Sequence, residues 1–154
     1  MEIADLIRPE DVVPNLRATS KKQALQELAK RAAKRTGLPE RRIFEVLIER
    51  ERLGTTGVGS GVAIPHGKLA ELQRLSALFA RLEDPVDFDA IDEQPVDLIC
   101  VLLAPEGAGA DHLKALARIS RVLRDRSICE KLRGTESSDA IYAILTQATA
   151  SRAA

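Results

Sequence analysis

The sequence predicts an α/β fold: a single domain spanning residues 1–154, with a mixed, largely buried sheet flanked by helices on both faces. Three observations point there. Apolar residues recur at helical spacing in several segments, short apolar runs of strand length lie among them, and the length suits one core.

The elements follow in order. Ile3, Leu6 and Ile7, then Val12, Val13 and Leu16 around Pro9 and Pro14, read as an extended start. Ser20 is a good N-cap, with Gln23 three residues on as in a capping box. Ala24, Leu25, Leu28, Ala29 and Ala32 then form an apolar stripe, which Gly37 and Pro39 stop. A second helix runs from about Glu40 through Ile43, Phe44, Leu47 and Ile48, and Gly54 ends it. Its last turns, Glu49 to Arg52, read as solvated charge. A glycine-rich loop leads into a short strand, 62–64. A second strand covers 75–82, with Asp84-Pro85 as a turn signal. Residues 96–103 are apolar enough for a strand buried on both faces. After a loop at 105–109, a long helix from about Asp111 to Arg126 carries Leu113, Leu116, Ile119 and Leu123. Ser127 and Glu130 suggest a capping box for a short helix ending at Gly134. Ser137 or Ser138 caps a last helix with Ile141, Ile144 and Leu145.

Composition narrows the function. Lys+Arg and Asp+Glu both total 23, so the net charge is zero, and aromatics are 3% without Trp. Nucleic acid, which favours a basic face and stacking rings, is not expected as a partner. No apolar run approaches the roughly 20 residues that span a bilayer, and the start lacks a signal-peptide pattern. Cys100 and Cys129 read as reduced and buried. A cytoplasmic protein without membrane insertion is the expectation.

The densest signal is the run from Gly57 to Lys68. Five of the nine glycines lie between Gly54 and Gly67, and one of only two histidines, His66, closes the run. Histidine can form a covalent intermediate, and amides of glycine-rich turns can cradle an anion; a surface histidine after a plain turn is the alternative. Nucleotide motifs fail: Gly61 to Gly67 is one residue too long for a P-loop, and Leu69 follows Lys68. The dinucleotide fingerprint wants glycine where Val62 stands. Neither histidine has a metal-ligand partner at helical spacing, so no metal or cofactor is expected. His112 sits at the start of the long helix, where free amides favour anions, although a merely exposed histidine gives the same pattern. Arg50 belongs to the charged end of the second helix.

Together, Arg50-Glu51-Arg52-Leu53-Gly54-Thr55-Thr56-Gly57 and Ala63-Ile64-Pro65-His66-Gly67-Lys68 resemble the active-site segment of the nitrogen-type enzyme IIA of the phosphotransferase system, a relative of the mannitol- and fructose-type IIA domains. Phe88 to Asp92, Gln94 to Leu98, His112-Leu113, Ile128-Cys129 and Lys131 to Arg133 extend the resemblance, which runs from about Ile7 to Leu145. It implies a mixed sheet flanked by helices. It also implies that His66 accepts a phosphoryl group from an HPr-like phosphocarrier, supported by His112 and Arg50. Glycine amides of Gly57, Gly59, Gly61 and Gly67 would help bind the phosphate. Regulatory targets such as transporters or sensor kinases would be the further partners of the nitrogen branch; a sugar-transport subunit serving a IIB partner is the alternative. Asp111 beside His112 departs from an anion-binding pattern. Two expectations follow for the surroundings: a docking surface around His66 built from Gly57, Val58 and Ala63, and a His112 whose second donor comes only on protonation, near pH ~6.5 if unperturbed.

Overall fold

A computed structural model describes residues 1–153, and the side chains of residues 1–147. Two 3-10 turns, Ile3–Asp5 and Pro9–Asp11, replace most of the expected extended start and lead into β1 (Val12–Leu16). Helices α1 (Lys21–Thr36) and α2 (Glu40–Leu53) follow, then β2 (Gly57–Gly59), β3 (Val62–Ala63) and β4 (His66–Leu69). The long strands β5 (Ser76–Val86) and β6 (Val96–Pro105) precede α3 (Ala110–Leu123), α4 (Arg126–Arg133) and α5 (Ser138–Ala153).

The sheet is mixed, in the order β1-β5-β6-β3-β2, with β4 also on β6. β6 is its spine. It runs antiparallel to β5 and parallel to both β3 and β4, which occupy successive stretches of one edge. Side chains alternate along a strand, and here both faces are buried. Val96, Ile99, Val101 and Leu103 face the layer of α1 and α2. Leu98, Cys100 and Leu102 face the layer of α3, α4 and α5. The expectation of helices on both faces therefore holds. Cys100 and Cys129 are buried free thiols. Among the described residues, no helix is long and apolar enough to cross a membrane.

Local chemistry explains the helix ends. Ser20 accepts from the Gln23 amide at 3.1 Å. Gln23 reaches past Ser20 to the Thr19 amide at 2.6 Å, one residue earlier than a standard box. Gly37 closes α1 in the left-handed region at φ 78°. Ser137 is the residue that caps α5, accepting from the Ala140 amide.

Several expectations need correction. Asp84-Pro85 does not turn the chain: β5 continues to Val86, and its pairing with β6 skips between Arg81 and Val86. The irregular stretch frees Pro85 from a ladder donor it lacks. The long helix stops at Leu123, and Asp125, not Ser127, caps α4 by accepting from the Ile128 amide at 3.2 Å. The buried face of α3 is His112, Ala115, Ile119, Val122 and Leu123. Leu113 is 69% exposed, so the apolar stripe is rotated and His112 points inward. The glycine-rich loop also contains two short strands, β2 and β4, whose Gly, His and Lys content gives no strand pattern.

Candidate active site

The site begins with a break in a ladder. β3 and β4 both run parallel to β6, but Ile64 and Pro65 separate them. The Ile64 amide turns to the Thr56 carbonyl at 3.0 Å, and the Pro65 carbonyl accepts from Leu102 at 2.9 Å. His66 folds its ring back onto this break, and Nδ1 lies 2.9 Å from the Ile64 carbonyl oxygen. A carbonyl only accepts, so Nδ1 carries the proton and Nε2 keeps its lone pair. Arg50 Nε–H donates to that Nε2 at 3.3 Å, while Arg50 Nη1 donates to the Gly54 carbonyl at 2.9 Å.

Gly67 brings the arginine there. A β-carbon on Gly67 would overlap Val46 Cγ1 on α2. Val46 and Arg50 are four residues apart on one helix face, so β4 packed closely on Val46 sets Arg50 beside His66. Gly67→Ala should wedge α2 from β4, and slow any reaction that uses Arg50 and His66 together more than it lowers the melting temperature. A variant as active as wild type would show that the close approach is not needed.

His112 comes from the opposite layer. β6 delivers the chain to the start of α3, and His112, in its first turn, is only 7% exposed. The two imidazoles meet edge to face, with centroids 5.7 Å apart at 69°. His112 Nε2 is buried without a hydrogen-bond partner, which leaves a donor or acceptor for a group placed between the rings. The exposed-histidine alternative is excluded. His66, His112 and Arg50, far apart in sequence, are thus brought together.

Both imidazoles are held below the ordinary histidine pKa. Burial lowers the His66 pKa; the Ile64 hydrogen bond opposes it, and the Arg50 charge lowers it further. Burial also lowers the His112 pKa, with His66 and Lys68 adding to the effect. The second donor expected from His112 on protonation is therefore not available near neutral pH in the resting protein. At that pH, His112 offers one N–H.

The glycines divide by position. A β-carbon on Gly57 would lie 2.9 Å from Ala90 Cβ. Gly59 and Gly61 have φ of 103° and 80°, flanking Ser60 at 56°, and form the turn from β2 to β3. The anion held at this turn is the chain's own: the Ser60 amide donates to the Asp92 carboxylate at 2.8 Å. Amide donors from Ser60 and Gln94 hold the Asp92 carboxyl below its usual range. Packing of the hairpin accounts for Gly57, Gly59 and Gly61, whereas Gly67 adjoins His66.

Sequence reasoning missed two features. The Ile64 carbonyl is main chain and leaves no trace in residue types. Glu51, placed among solvated charges, is 7% exposed. Its signal was spacing: Ile43, Leu47 and Glu51 recur every four residues and are the buried side of α2.

A mixed sheet between two helical layers thus carries a tautomer-fixed histidine, an arginine and a second histidine at one edge. The chain matches the family described as phosphoenolpyruvate-dependent sugar phosphotransferase system, EIIA 2, over residues 5–148, and it belongs to that family. It is 62% identical over 145 residues to the nitrogen regulatory protein of Bradyrhizobium diazoefficiens, covering 94% of this chain and 95% of the relative. It is 34% identical to the fructose-specific EIIABC component of Bacillus subtilis over 96% of this chain but 23% of that longer protein. The crystal structure of nitrogen regulatory protein IIA-Ntr from Neisseria meningitidis superimposes with a TM-score of 0.89 at 38% identity, covering 94% of this chain and 99% of that one.

Proposed function

We propose that this chain is a phosphoryl carrier of the nitrogen-regulatory branch, phosphorylated on His66 Nε2 by an HPr-like carrier in the cytoplasm. The observation that carries the reading is the pair of contacts on the His66 ring: Nδ1–H is tied to Ile64, and Nε2 faces Arg50.

In the proposed step, the Nε2 lone pair attacks the phosphorus of the donor's phosphohistidine. An N–P bond forms at His66 as the donor's N–P bond breaks, and the donor ring leaves with the electron pair. Nδ1 keeps its proton, and the Ile64 carbonyl stabilises the positive charge that develops on the ring. Arg50 moves its N–H donors from Nε2 to the phosphoryl oxygens, and His112 supplies one more. Such transfer depends mainly on positioning and electrostatic stabilisation. Incubation with phosphorylated HPr-like carrier should add one phosphoryl group to the intact mass. An unchanged mass would reject the proposal.

The carrier's docking face differs from the one expected. Gly57 and Ala63 are buried, and only Val58 of that trio is exposed. Two larger side chains flank the site instead: Leu53, one turn beyond Arg50, is 85% exposed, and Leu113, directly after His112, is 69% exposed. Large apolar side chains flanking a reactive group suit a protein partner. Leu53→Glu and Leu113→Glu should raise the KM for the phosphorylated carrier and leave kcat near wild type. A fall in kcat at unchanged KM would remove these residues from the docking face.

The fructose-specific relative favours a second reading, a sugar-transport subunit that passes the group to a IIB partner. Adding sugar-specific IIB domains to the phosphorylated chain separates the two: retention of the phosphoryl group supports the regulatory reading, and its loss supports the sugar reading. Regulated transporters or sensor kinases complete the first.

A further inference from the structure

The buried carboxylate of Glu51 touches neither His66 nor any group that would meet the phosphoryl oxygens, yet the hydrogen bonds that hold the Nδ1 side of the His66 ring lead back to it. Glu51 accepts from the Thr56 amide at 3.0 Å and from the Thr56 hydroxyl. The Thr56 carbonyl accepts from the Ile64 amide at 3.0 Å, and the Ile64 carbonyl accepts from His66 Nδ1 at 2.9 Å. A second branch starts at the same carboxylate. By holding Thr56, it pulls the chain after α2 into a tight return, and the Gly54 carbonyl in that return accepts from Arg50 Nη1. The carboxylate is itself anchored from α1 by Lys21 Nζ at 3.1 Å, and that ammonium also reaches the Phe88 carbonyl at 3.3 Å.

We infer that Glu51 is a positioning residue: through Thr56 and Ile64 it fixes the Nδ1–H tautomer of His66, and through the Gly54 turn it fixes Arg50. The inference rests on the phosphoryl-carrier reading only for its effect on rate; the tautomer is a property of the resting protein. A carboxylate suits this place because it accepts several N–H and O–H donors at once without offering one. An alkyl side chain would leave the Thr56 amide unpaired inside the protein, and the Ile64 carbonyl would lose its fixed direction. The ring would then divide between its two tautomers, and the Nε2–H form cannot attack.

The test is the ring nitrogen spectrum of His66 in 15N-labelled protein at neutral pH, read beside the single-turnover rate of transfer from phosphorylated carrier. Wild type should show a protonated Nδ1 and a bare Nε2. In Glu51→Ala the two nitrogen signals should move toward each other, and the rate should fall by about ten- to a hundredfold, as when the outer partner of a metal-binding histidine is removed. Glu51→Gln keeps an oxygen acceptor for Thr56 and should restore most of both. Folded Glu51→Ala with the wild-type ring spectrum and rate would overturn the inference, as would a Gln variant no better than Ala. If Glu51→Ala fails to fold, Glu51→Asp decides, because its shorter carboxylate draws back from the Thr56 amide: a shifted ring spectrum supports the inference and an unshifted one overturns it. A wild-type protein that takes up no phosphoryl group would reject the carrier reading, while the ring spectra would still decide the role of Glu51.

Discussion

His66→Ala protein is expected to take up no phosphoryl group from phosphorylated carrier and to keep its fold. Under the carrier reading the acceptor nitrogen is gone, and the neighbouring imidazole of His112 is only 7% exposed and lies outside the ladder break that fixes the tautomer. The structural loss is small. The His66 ring is half-buried and contributes one hydrogen bond to Ile64 and one to Arg50. A typical hydrogen bond contributes about 1 kcal/mol net, and the large apolar side chains of the core lie elsewhere in both layers. Intact mass after incubation, with circular dichroism as the control, checks this. Uptake equal to wild type would place the acceptor at another residue.

Arg50→Ala should be the next most damaging change. Removing one preorganised electrostatic donor at a transition state costs about 2.7–4 kcal/mol, roughly a hundred- to a thousandfold in rate. The pH profile should move as well. Under the carrier reading the neutral ring is the nucleophile, and burial and then the Arg50 charge lower the His66 pKa. Wild-type transfer should therefore hold steady through neutral pH and fall only below the ordinary histidine value of about 6.5, as the ring takes a proton. Without Arg50 one of the lowering influences is gone, so the residual rate should begin to fall at a higher pH. His112→Ala should cost less, because a single neutral N–H is lost. Its effect should be equal at about pH 7 and about pH 8, since burial keeps His112 unprotonated at both. Single-turnover rates across pH test all three. A wild-type rate for Arg50→Ala, or an acid limb that did not move, would remove its charge from the site.

Much of this was legible in the residues. Burial of β6 on both faces follows from its apolar run, and α1 announced itself through Ser20 and its five-residue apolar stripe. His66 stood out through its glycine-rich neighbourhood. What could not be read depends on contacts distant in sequence. Gly67 needs Val46 on α2 to explain it, and Gly59 with Ser60 needs the Asp92 carboxylate. The face of α3 differs from the apolar pattern because Leu113 looks like core and His112 does not; burying Ala115, Ile119 and Val122 together turns His112 inward and Leu113 out. β2 and β4 are set by pairing with neighbours, since their own residues favour no strand. Asp125 won over Ser127 as a cap because helix α3 ends three residues earlier than its apolar spacing suggests.

The break at Ile64 and Pro65 has a consequence for timing. The His66 ring is oriented by its own chain two residues back, not by anything a partner brings. The resting protein already holds Nε2 unprotonated, with the Arg50 donor resting on it, so under the carrier reading only the arginine has to shift when a donor arrives. Under the carrier reading, such a molecule acts as a gauge. The fraction of chains bearing the phosphoryl group follows the donor pool directly, and a target that distinguishes the two forms reads the cell's supply of that group without a separate sensor.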